Sequence, residues 1–305
     1  MTASYRYLTA DVFTSTPFGG NQLAVLPDAR GLSASQMQAI AKEFNYAEST
    51  FVFPPDDPRH TRRVRIFTPA NEMPFAGHPT VGTAHVLAAI GEIPLTGDST
   101  RITFEEGVGP VPVRIRSRNG VPEFCQLSVA RLPETFPPLP AREVLAPMLS
   151  LASDDVLGGR FHPQAVSAGV PFALIPLRDR DAVGRAKLRV DLWERALSDT
   201  PHPMVMVFAH DAEHAGHDVR ARMFAPSESI PEDPATGSAC AALGGYLGTR
   251  DDRRDGTLRW VVEQGFEMGR PSILEVEVDK SAGDITAVRV GGASVLVCEG
   301  TIRVP

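Results

Sequence analysis

Two stretches of the chain set an ionisable residue beside a proline, with a threonine and a glycine just after it: RIFTPANEMPFAGHPTVGTAHVL (Arg65 to Leu87) and RMFAPSESIPEDPATGSACAAL (Arg222 to Leu243). Each opens with Arg, an apolar residue, Phe, a small residue and Pro, and each closes in an Ala-rich segment of helical pattern. His78 precedes the proline in the first and Asp233 precedes it in the second. As one duplicated turn, the two stretches put a base and an acid at the same place in two copies. Proline suits the first position of a helix, where its missing N–H is no loss. His78 and Asp233 are therefore expected at or beside two N-caps. Aspartate is a good N-cap and needs no further role, whereas histidine is a poor one and does. A helix N-terminus offers unpaired N–H groups and positive potential. Two of them facing each other across a cleft would hold a carboxylate or a developing enolate. The acid and base on opposite walls would then move protons on a small anionic substrate.

The elements that must position these groups are mostly strands. YRYLTADVF, TRRVRIFT, TRITF and VPVRIRS in the first half, and PMVMVFA, DVRARMF, TLRWVV and SILEVEVD in the second, alternate with strand periodicity. Ser33 and Gln36 predict a capping box ahead of QMQAIAKEF. Two further helices open at the duplicated turns. Val81, Ala84, Leu87 and Ala88 fall on one face of the first, and Ala239, Ala242, Leu243 and Tyr246 on one face of the second. Gly91 and Gly248 stand where C-caps belong. GGNQLAVLP (19–27) has a looser echo in AGVPFALIP (168–176), at a similar distance before the turn. The economical reading is two homologous α+β domains, 1–130 and 131–290, with a last strand at about 291–305 returning to the first. The Pro-rich RLPETFPPLPAREV (131–144) reads as the linker, and as the hinge if the domains close.

Composition excludes several functions. A net charge of −7 over 305 residues, with arginines scattered, speaks against nucleic-acid binding. No apolar run is long enough for a membrane span and no signal-peptide core opens the chain, so a soluble cytoplasmic protein is expected. Cys125, Cys240 and Cys298 are too few and too dispersed for a disulfide framework or a zinc cluster. No P-loop, G-x-G-x-x-G or G-x-S-x-G motif is present. HDAEH (210–214), with His217 behind it, fits the H-x-x-E-H zinc pattern, which works only on a helix. Lying between two strands and followed by Gly216, it is expected to be a polar hairpin loop without a metal.

PFAGHPTVGTAHVL, EDPATGSACAALGGYL, GNQLAV and NYAESTFV together resemble the PhzF-like phenazine-biosynthesis family, related in fold to diaminopimelate epimerase and proline racemase. The likeness runs from DVFTSTPFGGNQLAV to EQGFEMGRPS. It implies two pseudo-symmetric epimerase-like domains, each a mostly antiparallel sheet wrapped around a central helix, with the active-site cleft between them. It also implies a cofactor-independent isomerase, without metal, in which Glu48 is general acid and base. His78 and Asp233 would assist, and Gly77, Gly237, Ser238 and Asn21 would bind substrate. A homodimer acting on a small anionic metabolite, of the trans-2,3-dihydro-3-hydroxyanthranilate type, completes the expectation. Without the resemblance, Glu48 reads as an exposed carboxylate at a strand start. The related racemases use two cysteines, which this chain lacks in both turns; Cys240 falls inside the helix. Gln22 replaces the family's usual proline. An epimerase-like enzyme and a non-catalytic binding protein on the same fold are the alternatives.

Overall fold

The computed structural model describes residues 3–228 and 230–305. The chain divides into unit 1, Met1–Ala130 with Gly291–Pro305, and unit 2, Arg131–Val290.

Unit 1 begins with β1 (Ala3–Val12), β2 (Asn21–Leu26), α1 (Ala34–Phe44), β3 (Glu48–Phe53), β4 (Arg62–Phe67) and the short β5 (Glu72–Met73). Helix α2 (Gly77–Ala89) and strands β6 (Ser99–Glu106), β7 (Gly109–Arg118) and β8 (Val121–Ser128) follow. Unit 2 holds β9 (Glu134–Pro138), α3 (Arg142–Met148), β10 (Gln164–Ser167), β11 (Pro171–Pro176), α4 (Arg180–Arg185), α5 (Val190–Ala196), β12 (Met204–Ala209), β13 (Val219–Ala225) and β14 (Ile230–Asp233). It continues through α6 (Gly237–Gly248), β15 (Gly256–Gln264), β16 (Ser272–Ser281) and β17 (Asp284–Gly292), and β18 (Ser294–Val304) then pairs antiparallel with β1 in unit 1.

The pairing pattern is written twice. In unit 1, β1–β2 is antiparallel, β2–β3 parallel, β3–β4 and β4–β5 antiparallel, and β4–β6 parallel. In unit 2, β10–β11, β11–β12, β12–β13, β13–β14 and β13–β15 repeat that series sense for sense. The parallel strands β2 and β11 are near-continuous apolar runs, as strands covered on both faces must be. One covering layer in unit 1 is α1, whose Met37 and Ile40 pack on Leu26, Phe51 and Phe67. Its Ser33–Gln36 capping box is present. In unit 2 the corresponding layer is α3, α4 and α5, with Leu145, Met148 and Trp193 in one cluster with Ile175 and Val207.

The other layer is α2 in unit 1 and α6 in unit 2. The sequence suggests one buried face for each. Instead α2 is buried from Gly77 through Ala88, and α6 throughout except Ser238. α2 packs on β1, β2, β3, β7 and β8, and α6 on β10, β11, β15 and β16. A helix enclosed by sheet has no solvent face to keep polar, which is why both are rich in small and apolar residues and contain no Asp, Glu, Lys or Arg. Such closeness demands missing side-chain atoms. A Cβ on Gly82 would lie 2.5 Å from Val12 Cγ2 and 2.6 Å from Leu23 Cδ2. Gly82→Ala gains about 1 kcal/mol of helix propensity but overpacks a closed interior at a cost of about 1–3 kcal/mol. We expect a net loss, read as a lower thermal midpoint; a variant more stable than the wild type would show that the helix can shift.

Two local expectations are corrected. Residues 131–144 are not a free linker: Glu134–Pro138 is strand β9, paired with β10, and Arg142 opens α3, so the stretch belongs to unit 2. Proline suppresses helix there but leaves extended pairing possible. Gly91 does follow the α2 C-cap, Ile90, with φ +79°, but Gly248 is the last helical residue of α6 and the cap is Thr249. Gly248 is small for packing: a Cβ would sit 3.1 Å from both Ile285 and Val278.

Candidate active site

In unit 1 three of the expected residues meet. Glu48 is the first residue of β3 and pairs across to Leu23 of β2, which places it beside Asn21 at the start of β2. His78 is the second residue of α2. Its Nδ1 lies 3.3 Å from Asn21 Nδ2, and its Nε2 lies 3.5 Å from Glu48 Oε2. The Glu48 side chain is 14% exposed and that of His78 5%, so the carboxylate faces a nearly dry ring rather than open solvent. Burial pushes the His78 pKa down to about 3, against a weaker opposing effect from a hydrogen bond to the Gln22 backbone. The ring is therefore neutral at neutral pH, and its contact with Glu48 is one between a carboxyl group and an uncharged imidazole. At 3.5 Å the pair is looser than a formed hydrogen bond, and Nε2 makes none among the described residues. Gly77 opens the same helix after Ala76, which supplies no side-chain cap.

In unit 2, Asp233 ends β14 and is buried. It is not an N-cap. The cap of α6 is Thr236, whose hydroxyl donates to Asp233 Oδ2 instead of capping the helix. Gln264, wholly buried at the end of β15, ties this turn together. Its Oε1 accepts from the Thr236 backbone N–H at 3.1 Å, and its Nε2 donates to the Asp233 carbonyl at 2.8 Å and to Thr236 Oγ1 at 3.0 Å. Gly237 and the partly exposed Ser238 begin α6. Cys240 is sealed inside, and burial, helped by the Asp233 charge, pushes its thiol well above the ordinary range.

His78 and Asp233 are not at equivalent places. Met73 pairs with Ile66, and Asp233 pairs with Met223, the counterpart of Ile66 in the repeated strand. Arg65 pairs with Glu72, and Arg222 with Glu232, one residue before each. A Cβ on Gly107 would strike Pro74, and one on Gly265 would strike Pro234. The true repeat is Glu-x-Pro-x-x-Gly, 72–77 and 232–237, which sets Asp233 opposite Met73 and His78 opposite Ser238. Aligning Pro79 with Pro234 misplaces the turn because the loop before it is longer in unit 2. Ile66 and Met73 are seven positions apart, and Met223 and Asp233 ten.

HDAEH lies in the loop between β12 and β13, as its flanks suggest, but two of its neighbours converge. His214, His217 and Glu263 place their ligand-type atoms within 4.8 Å of one another. Glu263 Oε1 accepts from His214 Nδ1 and His217 Nδ1, both at 2.8 Å, and from the His214 backbone N–H. Its other oxygen takes the Glu213 N–H, with Arg220 Nη1 at 3.3 Å. Glu105 in unit 1 is its twin, accepting from the Asp56 and Asp57 N–H groups and pairing with His60. In both units the penultimate residue of a strand thus anchors a loop.

Three comparisons set the chain among known proteins. An uncharacterized isomerase of Mesorhizobium japonicum is 40% identical over 97% of this chain and 98% of its own length. The trans-2,3-dihydro-3-hydroxyanthranilate isomerase of Pseudomonas aeruginosa is 34% identical, again over 97% of this chain and 98% of its own. The crystal structure of a Bacillus anthracis phenazine biosynthesis protein of the PhzF family superposes with a TM-score of 0.89 at 25% identity, covering 98% of this chain and 99% of that one. The fold is accordingly of the two-domain epimerase-like α+β class, and the activity class is isomerase. With the phenazine biosynthesis-like model matching residues 10–300, from within β1 to the middle of β18, the chain belongs to the PhzC/PhzF family.

Proposed function

We propose that the protein is a cofactor-independent isomerase that removes a proton from carbon on a small carboxylate-bearing substrate and returns it elsewhere, with Glu48 as the acid–base group. The observation that carries this reading is the set Glu48–His78–Asn21, with a carboxyl group facing a buried, neutral imidazole at the start of a helix. Glu48 takes the proton; partial burial keeps it from being levelled by water. Neutral His78 stabilises the developing enol oxygen or relays the proton, having both a ring N–H and a lone pair to use. The N–H groups of Gly77 and His78 at the α2 N-terminus favour the negative charge that develops. Asp233 and Ser238 of unit 2 are assigned the second share of substrate binding and proton handling. Every step uses side chains and backbone N–H groups of this chain.

The 34% identity to the Pseudomonas aeruginosa enzyme makes trans-2,3-dihydro-3-hydroxyanthranilate the substrate to try. In D2O, one-dimensional NMR should show its conversion with one deuteron bound to carbon in the product. A substrate left unchanged and unexchanged at high enzyme concentration would remove it from consideration. Conversion without deuterium would instead contradict a solvent-exchangeable carboxyl as the proton carrier.

A further inference from the structure

One buried acid in unit 1 takes no part in the set described above. Glu106, the last residue of β6, is only 8% exposed. Its Oε1 lies 2.7 Å from the hydroxyl oxygen of Thr80, which is fully buried in the first turn of α2, two residues after His78. The same hydroxyl lies 2.8 Å from the Ala76 carbonyl oxygen. A hydroxyl has one hydrogen. Thr80 cannot donate to both oxygens, and the Ala76 carbonyl can only accept. The second contact is satisfied if Glu106 supplies its own proton, so that Glu106 donates to Thr80 and Thr80 donates to Ala76.

We propose that Glu106 is held as a neutral carboxylic acid and, through Thr80, fixes the turn that presents His78. It is a positioning residue, and only its expected effect on turnover rests on the isomerase reading.

Two further observations agree. Glu106 Oε2 has no hydrogen-bond partner among the described residues, which is costly for a buried carboxylate and far less so for a neutral acid. In unit 2 the matching position, the last residue of β15 just before Gly265, is Gln264, and it binds the turn ahead of α6 through Thr236. A neutral carboxyl and an amide are close in shape, and both can donate. Burial pushes the Glu106 pKa up to about 8, against the opposing hydrogen bond with Thr80. The charged groups sharing its cavity of about 790 Å³ are engaged elsewhere. Arg63 pairs with Asp56, Arg65 with Glu72 and Asp57 with Arg59, while Glu105 holds its own loop and His60. From α2 the group that meets Glu106 is the Thr80 hydroxyl.

The test is an NMR titration of the whole protein with ¹³C-labelled glutamate carboxyls and ¹⁵N-labelled histidine, pH 5 to 9.5. The Glu106 signal is assigned by its absence in Glu106→Gln. The expected result is a carboxyl that titrates near pH 8, with the His78 ring signals moving at the same midpoint in the wild type and staying still in Glu106→Gln. Because the native state keeps a proton that the unfolded chain releases near pH 4.5, the wild-type thermal midpoint should fall between pH 5 and pH 8 relative to the variant. Should Glu106→Gln not fold, Glu106→Asp, which also removes the labelled glutamate signal, supplies the assignment. A Glu106 carboxyl that titrates below pH 6, or His78 signals that ignore its titration, would overturn the proposal. If the substrate tried above is not turned over, these readouts are unaffected. If it is turned over, kcat should show an alkaline limb near pH 8 that Glu106→Gln lacks.

Discussion

Glu48→Gln will abolish most of the carbon-proton exchange, lowering kcat by about 10²–10⁴-fold, the range a general acid–base group supplies, while KM changes little. Glutamine has nearly the shape of glutamate and keeps a donor and an acceptor for polar contacts, but it cannot carry the proton. Glu48 is at the strand end, with its side chain 14% exposed rather than sealed in the core, so the fold should tolerate the change. A thermal midpoint close to the wild type would show that the loss lies in chemistry. Glu48→Asp sharpens the result: it restores a carboxyl about one methylene short and should recover part of the rate. Equal activity of wild type and Glu48→Gln in the D2O experiment would take the proton away from Glu48 and leave the His78 ring as the nearest candidate. A KM rise with kcat unchanged would make Glu48 a binding group only.

The α+β class was open to the sequence because strand alternation and the repeated Arg-x-Phe segments are local signals. The site was less so. Glu48, His78 and Asn21 come from three separate segments, and what unites them is the parallel pairing of β2 with β3, which sets Leu23 against Glu48. Periodicity shows that a strand exists but carries no information on its partner or sense, so only the family resemblance singled out Glu48. The duplicated turn misled for a related reason. Proline, threonine and glycine are common around helix starts, and their coincidence sets His78 against Asp233. The signal that would have corrected this was in the chain: Glu72-Met-Pro-Phe-Ala-Gly77 against Glu232-Asp-Pro-Ala-Thr-Gly237. Glu105-Glu-Gly107 against Glu263-Gln-Gly265 would likewise have pointed to Glu106 and Gln264. Both helices looked amphipathic because a pattern of small and apolar residues always offers one richer face; enclosure by sheet on all sides is a tertiary fact.

The equivalence of Glu106 and Gln264 yields the largest stability effect expected here. Gln264→Leu should destabilise the protein by about 2–5 kcal/mol, since each buried polar group that loses its partner costs about 1–3 kcal/mol. The leucine fits the volume but removes the acceptor used by the Thr236 N–H and the donor used by the Asp233 carbonyl and the Thr236 hydroxyl. Against a total of about 5–15 kcal/mol for a typical domain, this is a large share, and it should appear as a lower denaturation midpoint. Gln264→Glu separates hydrogen bonding from packing. As a neutral acid it can copy Glu106, donating to the turn, but as a carboxylate it would sit beside buried Asp233 and repel it. Its stability should therefore be closer to the wild type at pH 5 and fall away by pH 8, whereas Gln264→Leu should be equally deficient at both. A leucine variant within about 1 kcal/mol of the wild type would mean that water or a rearranged turn serves the Asp233–Thr236 segment instead. A glutamate variant with no pH dependence would mean that this position, unlike its twin in unit 1, does not confine a carboxyl to its neutral form.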